Sequence, residues 1–249
     1  MTKPAWSILP DEWKPILKDR GLRAFRADQI LQSLYRDCIL DWDGATTLPK
    51  DFRETLKKEF PITHFEISAV SESEDGTKKL LVTFDDSEAV ETVLIPARER
   101  FTQCISTQVG CAMGCAFCAS GSCGLVRSLS ADEIVAQYMA GRTFGEITNI
   151  VVMGMGEPFM NYDETMKALK LINAGRGPNI GARHITISTC GIVPGFAKLA
   201  AEGIQFELSV SLHAPNDEIR SLLMPVNKRW PMKELLQSCA NYTKETKRI

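Results

Sequence analysis

The stretch QCISTQVGCAMGCAFC, running from Gln103 to Cys118, places four cysteines within sixteen residues. Cys111, Cys115 and Cys118 stand in a C-x-x-x-C-x-x-C spacing, and Cys104 precedes them by seven positions. The first residues of the stretch read as a strand, Gln103–Thr107. Gly110 and Gly114 then let the backbone wrap tightly. The same change of texture recurs downstream. Strands are expected at Asn149–Met153, His184–Ser188 and Gln205–Ser211. Each runs into a glycine-rich or polar loop: Gly154-Met-Gly-Glu-Pro158, Ser188-Thr-Cys-Gly191 and Ser211-Leu-His-Ala-Pro-Asn216. Helical patterns lie between them. Ser130-Ala-Asp-Glu133 is a capping box opening a helix through about Arg142, and further helices are expected near 163–173, 194–201 and 231–244. Repeated βα units specify a parallel sheet, open or closed into a barrel. Ligands of such sheets bind at the carboxyl ends of the strands, so the four loops should converge on one mouth.

Upstream the pattern differs. The first sixty residues read as short helices: Leu31, Leu34, Tyr35 and Cys38 lie at helical spacing, and Phe52, Leu56 and Phe60 repeat every fourth residue after Pro49. From Thr63 to Ile95 alternating residues and turn signals at Asp75-Gly76 and Asp85-Asp86-Ser87 predict a three-stranded meander. Residues 1–95 are therefore expected to form an accessory unit and residues 96–249 the α/β core. Lys244–Ile249 reads as the lead into another strand. A parallel sheet stopping there would leave an uncovered edge, so a piece of a longer protein is expected.

The composition, 44% hydrophobic and 24% charged over 249 residues, is that of a globular chain. A net charge of −2 excludes a global basic field. The local spots Arg23/Arg26, Lys57/Lys58, Lys78/Lys79, Arg98/Arg100 and Lys244/Lys247/Arg248 read as solvated faces. No segment has the apolar core of a signal peptide or the length of a membrane span, so a cytoplasmic protein is expected. Eight cysteines there point to metal binding or catalysis rather than to disulfides.

Three thiolates on one loop suit an iron–sulfur cluster with one iron left open to another molecule. A structural zinc ion needs four ligands, which Cys104 or Cys123 could complete, and inert core cysteines are a third reading. Phe117 could shield a cluster from water. Taken singly, Ser188, Ser211 and His213 are ordinary strand-end residues and Glu91 an exposed strand glutamate. Cys38 and Cys239 read as core. Cys123 and Cys190 have no assigned role.

The cysteine motif, with an aromatic before its last cysteine and M-G-M-G-E-P after the second strand, resembles the radical S-adenosylmethionine superfamily. The strings C-I-S-T-Q-V-G-C-A-x-x-C-x-F-C, I-S-T-x-G and S-L-H-A-P-N-D-E-I-R, with F-R-A-D-Q-I and V-E-T-V-x-I-P upstream, are similar to the RlmN/Cfr family of adenosine methyltransferases, in its RlmN-like branch. This likeness extends over essentially the whole chain. It implies an α/β fold, a partial TIM-like barrel preceded by a small helical domain with a β-meander. It implies a [4Fe-4S] cluster on Cys111, Cys115 and Cys118, and S-adenosylmethionine held by Gly156, Glu157, Ser188, Ser211, Leu212 and His213. Glu91 matches the family's proton acceptor, and Cys104 the thiol that resolves the enzyme–RNA adduct. The implied activity is methylation of carbon 2 of adenosine in 23S ribosomal RNA, with transfer RNA open as a second target. The implied route passes through a methyl-cysteine that lies beyond position 249, so this chain alone is expected to be incomplete for turnover. An electron donor such as flavodoxin, a monomeric state and no membrane association are also implied. Three alternatives stay open: a Cfr-like C8 methyltransferase, a radical enzyme acting on a small molecule or peptide, and a non-enzymatic zinc-held RNA-binding module.

Overall fold

The computed structural model describes residues 2–246. Three short helices open the chain: α1 (Trp13–Lys18), α2 (Arg26–Leu31) and α3 (Lys50–Glu59). Trp6, Trp13 and Trp42 are fully or almost fully buried among them, and the Trp42 indole donates to the Phe60 carbonyl at 2.7 Å. The spacing reading holds for Leu31, Leu34 and Tyr35, which are buried. It fails for Cys38, which lies past the helical turn, half-buried and at φ 52°.

The meander follows as β1 (Phe65–Glu72), β2 (Lys78–Phe84) and β3 (Ala89–Ala97), all antiparallel. β4 (Arg100–Cys104) pairs antiparallel with β3 and parallel with β7 (Asn149–Val152). β3 thus runs through the 95/96 boundary, and the meander and the parallel strands share one sheet of order β1-β2-β3-β4-β7-β8-β9. The strand expected at Gln103–Thr107 starts three residues earlier and ends at Cys104. Ile95–Ala97 holds Arg100–Thr102 in a hairpin, while the Thr107 amide turns to the Met155 carbonyl at 2.8 Å.

A separate hairpin, β5 (Gln108–Gly110) with β6 (Leu125–Ser128), encloses the cysteine loop and the short α4 (Ala119–Ser122). The rest alternates: α5 (Ala131–Arg142), β7, α6 (Tyr162–Asn173), β8 (Ile185–Thr189), α7 (Val193–Ala201), β9 (Glu207–Val210), α8 (Asp217–Leu223) and α9 (Met232–Thr246). The Ser130–Glu133 capping box opens α5, and buried residues occupy nearly its whole circumference. The β4-β7-β8-β9 order is sequential, without the reversal of a doubly wound sheet; it is an arc of a barrel. Ile150, Val152, Ile185, Ile187 and Leu208 are buried, and the alternate residues of these strands line the concave face.

Two expectations need correction. α8 was not anticipated; the Asn216 side chain caps it by accepting the Ile219 amide at 2.9 Å. Lys244–Thr246 belongs to α9, where the Thr243 and Thr246 hydroxyls bond the carbonyls four residues back, rather than leading into a strand. Residues 247–249 lie outside the described residues. No helix among the described residues is long and apolar enough to cross a membrane.

Candidate active site

The loops after β4, β7, β8 and β9 meet at the carboxyl ends of the strands, as the βα pattern requires. They line a cleft of about 310 Å³ that includes Cys111, Cys115, Cys118, Gly156, Glu157, Ser188, Ser211 and His213. Its size lies at the lower end of ordinary small-ligand sites, ~300–1,000 Å³.

The cysteine loop owes its path to Gly110. Its φ is +75°, and an added Cβ would lie 1.9 Å from the Gly124 carbonyl oxygen, the same oxygen that accepts the Cys111 amide at 2.8 Å. No other residue fits there. Farther along, the Ala116 amide donates to the Leu223 carbonyl at 2.8 Å, tying the loop to α8. Burial pushes the Cys111 and Cys115 thiols up, and each cysteine is also raised by neighbouring thiols. Cys111 and Cys115 each feel the charge of Cys118, and all three line the cleft, a donor set whose chemistry suits an iron–sulfur cluster.

In the loop after β7, Gly156 has φ +100°, and a Cβ there would come within 2.7 Å of the Gln108 and Thr107 side chains. Glu157 lines the cleft, but its oxygens are engaged from within the protein. Oε1 accepts the Phe159 amide at 3.0 Å and the Thr189 hydroxyl at 2.8 Å; Oε2 accepts the Cys190 amide at 2.7 Å. Burial pushes this carboxyl up and the donors oppose the rise. Glu157 therefore fastens the β7 loop to the β8 loop. Ser211 and His213 come from the loop after β9, where His213 takes the left-handed φ of 54°. Its ring meets Phe117 edge-on at 4.8 Å, and Phe117 itself is 54% exposed, a rim residue more than a shield. Leu212 packs on the core instead of lining the cleft.

Glu91 and Cys104 lie on the concave face beside the cleft. Cys104 pairs with Val93 and Val151, and Glu91 stands one step nearer the mouth than Val93. The Ser106 hydroxyl donates to the Glu91 carbonyl at 2.6 Å and accepts the Met155 amide at 2.8 Å, joining the Glu91 strand to the β7 loop. The Glu91 carboxylate pairs with Lys79 at 2.7 Å. Burial pushes the Cys104 thiol up, partly offset by the Met153 amide. Of the basic spots, Lys57 and Lys78 are likewise paired, with Asp43 and Glu72.

Two residues without an assigned role belong to this site. Cys190 is buried and lines the cleft, whereas Cys123 is exposed and Cys239 half-buried. Arg220, on α8, is fully buried. Its guanidinium donates to the carbonyls of Cys190 (2.7 Å), Ser211 (3.2 Å) and Leu212 (3.2 Å) and to Asn227 Oδ1 (2.8 Å). Arg220 closes the S-L-H-A-P-N-D-E-I-R string that carries the family likeness, but the likeness attaches no role to it, and an arginine within N-D-E-I-R-S looks like a solvated helix face.

Residues 105–248 match the Radical SAM superfamily. A probable dual-specificity RNA methyltransferase RlmN of Thermoanaerobacter sp. (strain X514) is 46% identical over 96% of this chain and 70% of that protein. One from Staphylococcus carnosus (strain TM300) is 45% identical over 98% of this chain and 68% of its own length. The chain belongs to the RlmN family of radical SAM enzymes. A radical SAM methyltransferase from Sphaerobacter thermophilus, known from its crystal structure, superposes on the RlmN-type chain with a TM-score of 0.94 at 43% identity. The match covers 99% of this chain and 74% of that one. An RlmN-type protein is a radical SAM RNA methyltransferase, which implies a [4Fe-4S] cluster, S-adenosylmethionine and an RNA substrate.

Proposed function

We propose that this RlmN-type chain takes part in methylating carbon 2 of adenosine in 23S ribosomal RNA, and in transfer RNA, by a methyl-cysteine route. Cys111, Cys115 and Cys118 would hold the [4Fe-4S] cluster. Gly156, Ser188, Ser211 and His213 would hold S-adenosylmethionine against it, with Glu157 and Leu212 shaping the two loops. When bound, the cluster and cofactor supply a carbon radical, which an electron-poor ring carbon requires because simple methyl displacement fails there. The observation that carries this reading is the convergence of three thiols with four strand-end loops on one cleft.

The remaining roles follow from placement. Glu91 sits on the concave face near the mouth, where a carboxylate paired to Lys79 can accept a proton from a docked base. Cys104 stands on the same face, with its thiol kept protonated by burial until it is needed to resolve the adduct. The protein would work as a cytoplasmic monomer, with residues 1–95 serving as an RNA-binding accessory region that shares its sheet with the core and with electrons from a flavodoxin-like donor. RNA would be recognised mainly through its backbone and splayed bases, so binding should weaken with salt.

Anaerobically reconstituted protein should be brown, carry about four irons with acid-labile sulfide, and bind S-adenosylmethionine. One zinc and no sulfide would overturn the reading in favour of the zinc module. Deleting the encoding gene from its source should remove 2-methyladenosine from 23S ribosomal RNA. Loss of 8-methyladenosine instead would assign the other regiochemistry.

A further inference from the structure

Arg220 is completely buried, and its four hydrogen bonds all go to uncharged oxygens. Among the described residues no carboxylate lies within ion-pair distance of it. Asp217 stands on the far side of Asn227, whose Nδ2 donates to Asp217 Oδ1 at 2.9 Å; its carboxylate acts on the guanidinium by charge alone, without contact, and is exposed to solvent that weakens the attraction. Guanidinium groups stay charged in proteins, and a buried charge without a countercharge is costly. Asp217 offsets part of that cost from a distance. The charge of Arg220 also reaches the cysteine loop, where it opposes the rise that burial imposes on the Cys115 thiol. Arg220 Nη2 holds the carbonyl of Cys190, which lines the cleft with Cys111 and Cys115. Its helix ends at Leu223, whose carbonyl binds the cysteine loop at Ala116, between Cys115 and Cys118.

We propose that Arg220 is a positioning residue whose buried charge sets the reduction potential of the cluster held by Cys111, Cys115 and Cys118. This rests on the proposed function. One electron from a donor adds one unit of negative charge to a cube already bound by three thiolates. A fixed cation beside that cube, in a medium of effective dielectric near 20, favours the reduced form. The fork of hydrogen bonds keeps the guanidinium in place, so the charge acts at a set distance from the cysteine loop.

The test is a reductive titration of the anaerobically reconstituted full chain with dithionite, followed by electron paramagnetic resonance, with iron and sulfide counted first. Arg220→Gln should lower the reduced-to-oxidised ratio at a given poise on the order of tenfold, about 59 mV for a one-electron couple. Arg220→Lys keeps the charge and should stay within about twofold of the unmodified protein, even if it melts earlier. Asn227→Asp, made together with Asp217→Asn so that an amide faces the new carboxylate where Asn227 Nδ2 now donates to Asp217 Oδ1 at 2.9 Å, places a carboxylate against Nη1 without removing the fork, and should lower the ratio in the same direction as Arg220→Gln. It decides the matter if Arg220→Gln fails to fold. An unmoved potential in the protein carrying Asn227→Asp with Asp217→Asn, or a potential as low in Arg220→Lys as in Arg220→Gln, would overturn the inference and leave Arg220 a structural clamp. Unmodified protein that takes up no iron and sulfide would instead defeat the proposed function, and this inference with it.

Discussion

Substituting Glu157 by glutamine tests how the mouth is held. The carboxylate accepts from the Phe159 amide, the Thr189 hydroxyl and the Cys190 amide, and it is 3% exposed. Glutamine preserves the shape but offers one acceptor oxygen and one NH2 donor. If the oxygen faces Phe159 and Thr189, the NH2 confronts the Cys190 amide at what was a 2.7 Å bond. If it is turned around, the Phe159 amide loses its acceptor. Either way a buried amide is orphaned, at about 1–3 kcal/mol, and the surviving bonds lose their charge-assisted strength. The sum is about 2–4 kcal/mol, which for a chain of this size lowers the melting temperature by roughly 4–16 °C. Thermal and urea unfolding of the paired proteins reads this directly. The opposing physical term is the desolvation of the carboxylate, which burial reveals in the raised pKa of Glu157. If that term outweighs the three donors, the glutamine protein will melt at the same temperature or higher, and Glu157 is then no latch.

Gly110→Ala forces a left-handed alanine against the Gly124 carbonyl; it should cost about 2–3 kcal/mol in urea unfolding and reduce the iron content after reconstitution. Iron retained at the unmodified level would show that the loop path is not critical. Asp217 accepts the Met232 amide and the Asn227 side chain, which hold its carboxyl below the usual range. A depressed folded pKa means stabilisation present above the ordinary carboxylate value of about 3.9 and lost as pH falls through the lower folded one. The difference in urea midpoint between the unmodified protein and Asp217→Asn should therefore shrink from pH ~5 downward; a constant difference would exclude the linkage. Glu157→Gln and Arg220→Lys meet at one residue, Cys190, whose amide serves the first and whose carbonyl serves the second. A double-mutant cycle should show coupling above about 0.5 kcal/mol, and additivity would separate the two ties.

What was legible in the sequence was local. The cysteine spacing, the Ser130–Glu133 box and the turn residues at Asp75-Gly76 each fix their structure within a few positions, and each appears where the pattern puts it. The errors lie where partners are distant. β4 begins at Arg100 because Ile95–Ala97 recruits it into a hairpin, which strand propensity in Gln103–Thr107 does not encode. The roles of Glu157 and Arg220 depend on Thr189, Cys190 and Ser211, from 9 to 33 positions away in the chain. Carbonyl acceptors carry no side-chain signature, so nothing in Asp217–Leu223 marks its arginine as buried.

Those distant ties form a closed circuit around the mouth. Gln108 of the cysteine hairpin accepts the Glu157 amide, Glu157 holds Thr189 and Cys190, and Cys190 holds Arg220. Arg220 also holds Ser211 and Leu212, and α8 returns to the cysteine loop through Leu223 and Ala116. No link passes through the thiol of Cys111, Cys115 or Cys118. The geometry of the mouth is therefore set by backbone and side-chain bonds that exist before any metal is loaded. Small zinc modules behave otherwise, because their metal ligands replace a core and the apo form is unfolded. Here the core is extensive and the ties are independent of the thiols. Stripping iron with a chelator under anaerobic conditions should abolish the brown colour while leaving the far-ultraviolet circular dichroism and the cooperative unfolding transition in place. Loss of that transition on chelation would mean the metal, and not the circuit, holds the four loops together.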